Sequence, residues 1–209
     1  MCSIIGSFDK DTIVDLCELN AYRGQHSHSI SYFDIEHNDF FMIQKSFGPI
    51  NYDKIDIPDN HYCIVHMQAP TTDNTQYVDN IHPAMYERCY LWHNGIIKEK
   101  EIARLRTEND IDSTWDTYIL LQHLINKGTP EGIDGTFSCL YYDGYRMYLF
   151  RNEISPMFID KKFNISSTKF KGSEATEPNA LLLFEPAIRS IKPVLYFNTV
   201  ENPYYFGDA

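Results

Sequence analysis

The residue with the richest chemistry stands second in the chain, which opens Met1-Cys2-Ser3-Ile4-Ile5-Gly6. If Met1 is removed, Cys2 carries a thiol and a free α-amine on one residue. A thiol with its ordinary pKa of about 8.5 is only a few per cent thiolate at neutral pH, so a nucleophilic cysteine needs a base. An α-amine titrates at about 7.7–8.0 and can take the thiol proton directly or through a water. The plain alternative is that Met1 starts an ordinary strand and Cys2 is a small buried residue. A second constellation is Leu91-Trp92-His93-Asn94-Gly95-Ile96-Ile97. Asn-Gly between apolar residues is a strong hairpin-turn signal. The same pair suits an oxyanion hole, with the Asn94 amide and the Gly95 backbone N–H aimed at one oxygen and glycine allowing close approach.

Such groups need a scaffold. Ser3 to Phe8 reads as a strand. Thr12 to Asn20 has helical spacing at Ile13, Leu16, Cys17 and Leu19, with Asp11 or Thr12 as its cap. Ser29 to Phe33 and Phe40 to Lys45 read as paired strands, and Tyr62 to Met67 as a short buried one. Lys98 to Arg106 is helical. Thr114 to Asn126 is the clearest helix, closed by Gly128 and Pro130. Thr136 to Tyr142 and Arg146 to Arg151 form a hairpin across Asp143-Gly144. Further strands are expected at Pro156 to Ile159, Ile165 to Thr168, Ala180 to Phe184 and Val194 to Phe197. The 15 Tyr and 13 Phe suit pleated surfaces. No repeat or Pro/Gly linker divides the 209 residues, so residues 1–209 read as a single α+β domain.

The net charge of −11 argues against nucleic acid or an anionic membrane as partner. No apolar run is long enough to span a bilayer, and the apolar start reaches Asp9 at once, so no secretory leader is expected. The five cysteines are widely spaced and odd in number, which suits a reduced, cytoplasmic protein. Cys63-x-x-His66 and Cys89-x-x-x-His93 have spacings that zinc could use. Cys63 and His66, three apart on a strand, point to opposite faces, and both cysteines read better as small buried hydrophobes. No metal and no cofactor are expected.

Taken in order, the motifs resemble those of a known family. They are Met1-Cys2-Ser3-Ile4 with Gly6; Tyr22-Arg23-Gly24 with Ser27; His66 with Ala69-Pro70-Thr71; Asn80 with His82-Pro83; His93-Asn94-Gly95-Ile96-Ile97; and Trp115-Asp116-Thr117-Tyr118-Ile119-Leu120. The set is similar to the glutaminase domain of class II glutamine amidotransferases, which are N-terminal-nucleophile hydrolases. Asparagine synthetase, glucosamine-6-phosphate synthase and amidophosphoribosyltransferase carry that domain. Gly135 to Asp143, Arg151 to Pro156 and Pro193 to Phe206 extend the resemblance over essentially the whole chain.

The resemblance implies a four-layer α/β/β/α sandwich of two antiparallel sheets. It implies Cys2 as nucleophile with its α-amine as base, and Asn94 and Gly95 as the oxyanion hole. It implies substrate contacts from Gln68, Pro70, Thr71, Asp116 and, as a source of charge, Arg23. Asp116 fits the family's ammonium-binding acid better than Asp112, because the span from Asp116 to Gly128 reproduces the family's helix length. The implied activity is hydrolysis of glutamine to glutamate and ammonia through a cysteine thioester, with ammonia supplied to a separate synthetase or transferase chain. Three positions depart from the pattern. Gln68 replaces an arginine that binds the substrate's α-carboxylate, His26 replaces an aspartate, and Tyr118 replaces an acid. A neutral amide donates more weakly to a carboxylate than a guanidinium does. Two alternatives therefore stand beside the leading one: an N-terminal-Cys amidase for another amide, and a catalytically degenerate binding or regulatory module.

Overall fold

The apolar opening becomes the middle of a sheet. The computed structural model describes residues 2–69 and 77–200. In chain order its elements are β1 (Ser3–Ser7), α1 (Lys10–Asn20), β2 (Ser27–Asp34), β3 (Asp39–Phe47), β4 (His61–Gln68), β5 (Ala84–Tyr86), β6 (Cys89–Ile97), α2 (Glu99–Asn109) and α3 (Asp116–Lys127). There follow β7 (Gly135–Tyr142), β8 (Met147–Arg151), β9 (Phe158–Ile159), β10 (Ile165–Ser166), β11 (Glu174–Ala175), β12 (Ala180–Glu185) and β13 (Ser190–Tyr196). One sheet runs β11-β9-β10-β1-β4-β2-β3 and the other β13-β12-β8-β7-β6-β5. Every recorded pairing is antiparallel.

Strand alternation sorts the apolar residues into three cores. Ile5, Val65 and Met67 face α1 and pack on Ile13, Leu16 and Cys17. Ile4, Tyr62 and Ile64 point the other way and meet Trp92, Leu140 and Leu182 of the second sheet. Leu91, Phe137 and Cys139 on that sheet's outer face meet Leu105, Leu120 and Leu124 of α2 and α3. The layers are therefore α1, first sheet, second sheet, α2 with α3: the α/β/β/α sandwich expected from the sequence.

Several local expectations need correcting. α1 starts earlier than its apolar spacing predicts, because Asp9, not Asp11 or Thr12, is the cap; its Oδ2 accepts from the Thr12 backbone N–H at 2.8 Å. The hairpin-turn reading of Asn94-Gly95 fails: β6 runs straight through it, with Gly95 opposite Phe137. Glycine is needed there for close approach, since a Cβ would lie 1.9 Å from the Thr136 carbonyl oxygen. β5 and β11, at three and two residues, are too short to show a period and were not predicted. β13 begins at Ser190, not Val194. α3 ends as predicted, on Gly128 in the left-handed region. Among the described residues no helix is long and apolar enough to cross a membrane.

Candidate active site

Cys2 sits at the head of β1. The β1–β4 register pairs Ser3 with Met67 and Ile4 with His66, which sets Cys2 beside Gln68. Ser27 of β2 is in turn opposite Gln68. Ser27, Gln68 and Cys2 thus form a row across three strands, on the face that looks at the second sheet. On that sheet Trp92 and Asn94 alternate with His93 and point back toward β1.

One side chain ties the two walls together. Ser167 Oγ accepts the Ile4 backbone N–H at 2.9 Å and lies 3.4 Å from Asn94 Nδ2. The Ser167 backbone N–H donates to the Ile4 carbonyl at 3.1 Å. Asn94 is therefore fixed to the strand that carries Cys2, two residues from it. Asn94 and Cys2 are both buried. Burial pushes the Cys2 thiol above its ordinary value; the Asp116 carboxylate adds to this, and the Arg23 guanidinium opposes it. The resting thiol is neutral, with Sγ 3.9 Å from the Ala69 carbonyl oxygen.

Arg23 is placed differently from a free substrate contact. It is buried, its Nε donates to the Cys2 carbonyl at 2.8 Å, and its Nη1 reaches the Tyr22 hydroxyl at 3.4 Å. It holds the backbone of the nucleophile. Gly24 lets this turn press onto the end of β4, where a Cβ would come 2.3 Å from the Ala69 nitrogen. Asp116 opens α3. Its Oδ1 accepts the Thr117 N–H at 2.7 Å and its Oδ2 the Ile97 N–H at 3.4 Å. A first-turn carboxylate also suits the helix dipole, so position alone gives Asp116 a structural reason as well. Pro70 and Thr71 lie outside the described residues, as does Met1.

Behind the row is a buried cluster that the sequence reading did not assign. His66, His82 and His93 are almost fully enclosed, and the first two rings stack at 4.0 Å. Burial drives His66 down to about 3, His82 well below its ordinary value, and His93 down against the pull of Asp116. Neutral rings let the network assign the protons. His66 Nε2 faces the His93 carbonyl at 3.2 Å and so carries hydrogen. His82 Nδ1 lies 3.2 Å from Gln68 Oε1 and its Nε2 3.0 Å from the Thr117 hydroxyl, which also donates to Asp116 Oδ1 at 3.3 Å and lies 3.2 Å from His93 Nδ1. Ser27 Oγ donates to Gln68 Oε1 at 3.4 Å. All three histidines lie within quoted motifs; what hid their role is that they meet each other only through the packing of β4, β6 and the His82-Pro83 loop. Among the described residues no group of three or more His, Cys, Asp or Glu side chains is arranged to hold a metal ion.

Arg151 and Asn152, in the other extended motif, are architectural. Arg151 Nε and Nη2 donate to the Thr176 carbonyl at 2.9 and 2.6 Å, and Nη1 to the Asn152 carbonyl at 3.0 Å.

No family model matches the chain, and no curated protein matches it by sequence. Solved structures do. Glutamine phosphoribosylpyrophosphate amidotransferase from B. subtilis, solved with ADP and GMP, superimposes with a TM-score of 0.67 at 15% identity, covering 95% of this chain and 49% of that one. A structure described as the allosteric regulatory enzyme of purine biosynthesis gives 0.66 at 17% identity, again covering 95% and 49%. The chain spans about half the length of both. Its two facing antiparallel sheets and outer helices are the N-terminal-nucleophile hydrolase fold, shared with glutamine phosphoribosylpyrophosphate amidotransferase over 95% of its own length.

Proposed function

We propose that the chain is a glutaminase-type amidotransferase domain in which Cys2, exposed as the first residue once Met1 is removed, is the nucleophile. The observation that carries this is the Ser167 bridge, which holds Asn94 to the strand that Cys2 heads. An amide N–H donor and a thiol on facing walls are what thioester formation needs. The Cys2 α-amine takes the thiol proton, and Sγ bonds to the carbonyl carbon of the side-chain amide. Asn94 Nδ2 and the Gly95 N–H receive the oxyanion. The C–N bond then breaks, and ammonia leaves with the proton held by the amine. Water adds to the thioester, releasing the carboxylate and restoring the thiol. Asp116, at the start of α3 with its carboxylate accepting the Ile97 N–H, is the group we assign to the substrate's α-ammonium.

In this reading the ammonia goes to a synthetase or transferase, which we assign to a separate chain. Five unpaired thiols support a reducing, cytoplasmic setting.

The test is intact mass before and after a glutamine-mimicking electrophile, with Cys2→Ala beside it. The expected result is a protein lacking Met1 that gains one adduct, absent from the variant. Retention of Met1 would block the amine and leave a binding or regulatory module.

A further inference from the structure

We propose that Thr117 is a positioning residue, whose one hydroxyl holds the Asp116 carboxylate and ties it to the two walls that carry Cys2 and Asn94. The proposal rests on the glutaminase reading above, in which Asp116 takes the substrate's α-ammonium. Thr117 lies in the first turn of α3 and is buried. Its hydroxyl donates to Asp116 Oδ1 at 3.3 Å and lies 3.0 Å from His82 Nε2 and 3.2 Å from His93 Nδ1. A hydroxyl has one hydrogen and two lone pairs, so three partners use all of its capacity. The β-branched side chain has few χ1 rotamers, and α3 itself limits where the hydroxyl points.

Each partner leads to a different part of the site. Asp116 Oδ1 also accepts the Thr117 backbone N–H at 2.7 Å, so one residue grips the carboxylate twice. Asp116 Oδ2 has longer contacts, to the Ile97 N–H at 3.4 Å and to His93 Nδ1 at 3.9 Å, and is the oxygen we assign to an ammonium. The His82 ring reaches Gln68 Oε1 at 3.2 Å, and the β1–β4 register sets Gln68 beside Cys2. The His93 ring belongs to β6, one residue before Asn94, and the His93 carbonyl faces His66 Nε2 of β4 at 3.2 Å. Paths from α3, β4 and β6 therefore meet on a single oxygen atom. Packing alone does not ask for that oxygen, since valine has the same branched shape.

The experiment measures ammonia release by protein shown by mass to lack Met1, with Cys2→Ala as blank. The substrates are glutamine and glutaric acid monoamide, which has the same side-chain amide and no α-amine. Thr117→Val is expected to lower kcat/KM for glutamine by about tenfold, mainly through KM, the scale of one hydrogen bond to a charged group. For the monoamide the change is expected to stay under about threefold, since no ammonium is there to be placed. Thr117→Ser, which keeps the hydroxyl, is expected to retain most of the glutamine rate. Thr117→Ala beside Thr117→Ser repeats the contrast on a smaller side chain, should valine disturb folding. With Asp116→Asn already in place, adding Thr117→Val is expected to cost glutamine little more, because the carboxylate it positions is gone. No loss on glutamine, or an equal loss on both amides, would make Thr117 merely structural; either overturns this proposal and leaves the Cys2 reading standing. Failure of the unsubstituted protein to release ammonia from glutamine would overturn both.

Discussion

Ser167 shows how much one hydroxyl carries. It satisfies a buried backbone donor at Ile4 and positions the Asn94 amide, so its removal acts on two properties at once. Ser167→Ala leaves the Ile4 N–H unpaired inside the sandwich, at a cost of about 1–3 kcal/mol in stability, read by urea unfolding. If Asn94 stabilises the oxyanion, the same variant also loses kcat, by about tenfold, with KM little changed, because the lost interaction is made only in the transition state. A fall in stability with no change in kcat would confine Ser167 to architecture. The neutral, buried Cys2 thiol makes a further statement at this scale. With burial holding its pKa up, alkylation of Cys2 should be slow in protein that retains Met1 and fast once the amine is free. Mass-resolved iodoacetamide labelling of the two forms reads the difference.

At the scale of elements, β6 is decisive. Gly95 lies where any Cβ would drive into the Thr136 carbonyl of β7, so Gly95→Ala must push the two strands apart. The shift falls on Asn94 and on the Ile97 N–H that Asp116 accepts. We expect Gly95→Ala to lose at least about 2 kcal/mol of stability, within the range for overpacking, and most of any hydrolytic activity. Thermal melting and ammonia release measure the two. The same strand explains what was legible in the sequence. The long periodic elements were readable because burial fixes their period: β1, β4 and α3 lie close to where the apolar pattern puts them. Asn-Gly misled because a turn and a tight strand crossing ask for the same residue, and only the opposing Thr136 carbonyl tells them apart. Motifs single out Cys2, Asn94, Gln68, Asp116 and Arg23 as candidates. They do not single out Ser167 or the histidine cluster, whose partners are far off in the chain: Asn94 and Ser167 bond across 73 residues. The bond from Arg23 to the Cys2 carbonyl depends on a turn geometry that no local pattern encodes.

For the whole molecule, the three neutral histidines between the sheets and α3 make folding depend on pH, and the sign can be worked out. In the unfolded chain each titrates near about 6.5. In the fold burial lowers all three, His66 to about 3. Between those values the unfolded state binds more protons than the native one, so stability is fully present above about pH 6.5 and is lost as pH falls. Asp116 opposes the shift at His93 and Lys45 reinforces it at His82, so His66 and His82 carry most of the slope, with His93 and His123, which burial also lowers, adding to it. Each fully buried histidine contributes up to about 1.4 kcal/mol per pH unit. Two such groups would take about 2 kcal/mol from the fold between pH 6.5 and 5.5, since the full slope is reached only below the unfolded pKa, and that is a large part of a domain's usual margin. His37, on the exposed β2–β3 turn with Asp34, moves in the opposite direction, but solvent screens that pair. Urea midpoints measured from pH 7.5 to 5 should therefore fall steeply below 6.5. His66→Asn, which cannot protonate, should flatten the curve by about one histidine's share while lowering the plateau. A midpoint indifferent to pH over that range would show that the cluster is hydrated or already charged in the native state, and with it the neutral-ring network that holds Gln68 would fall.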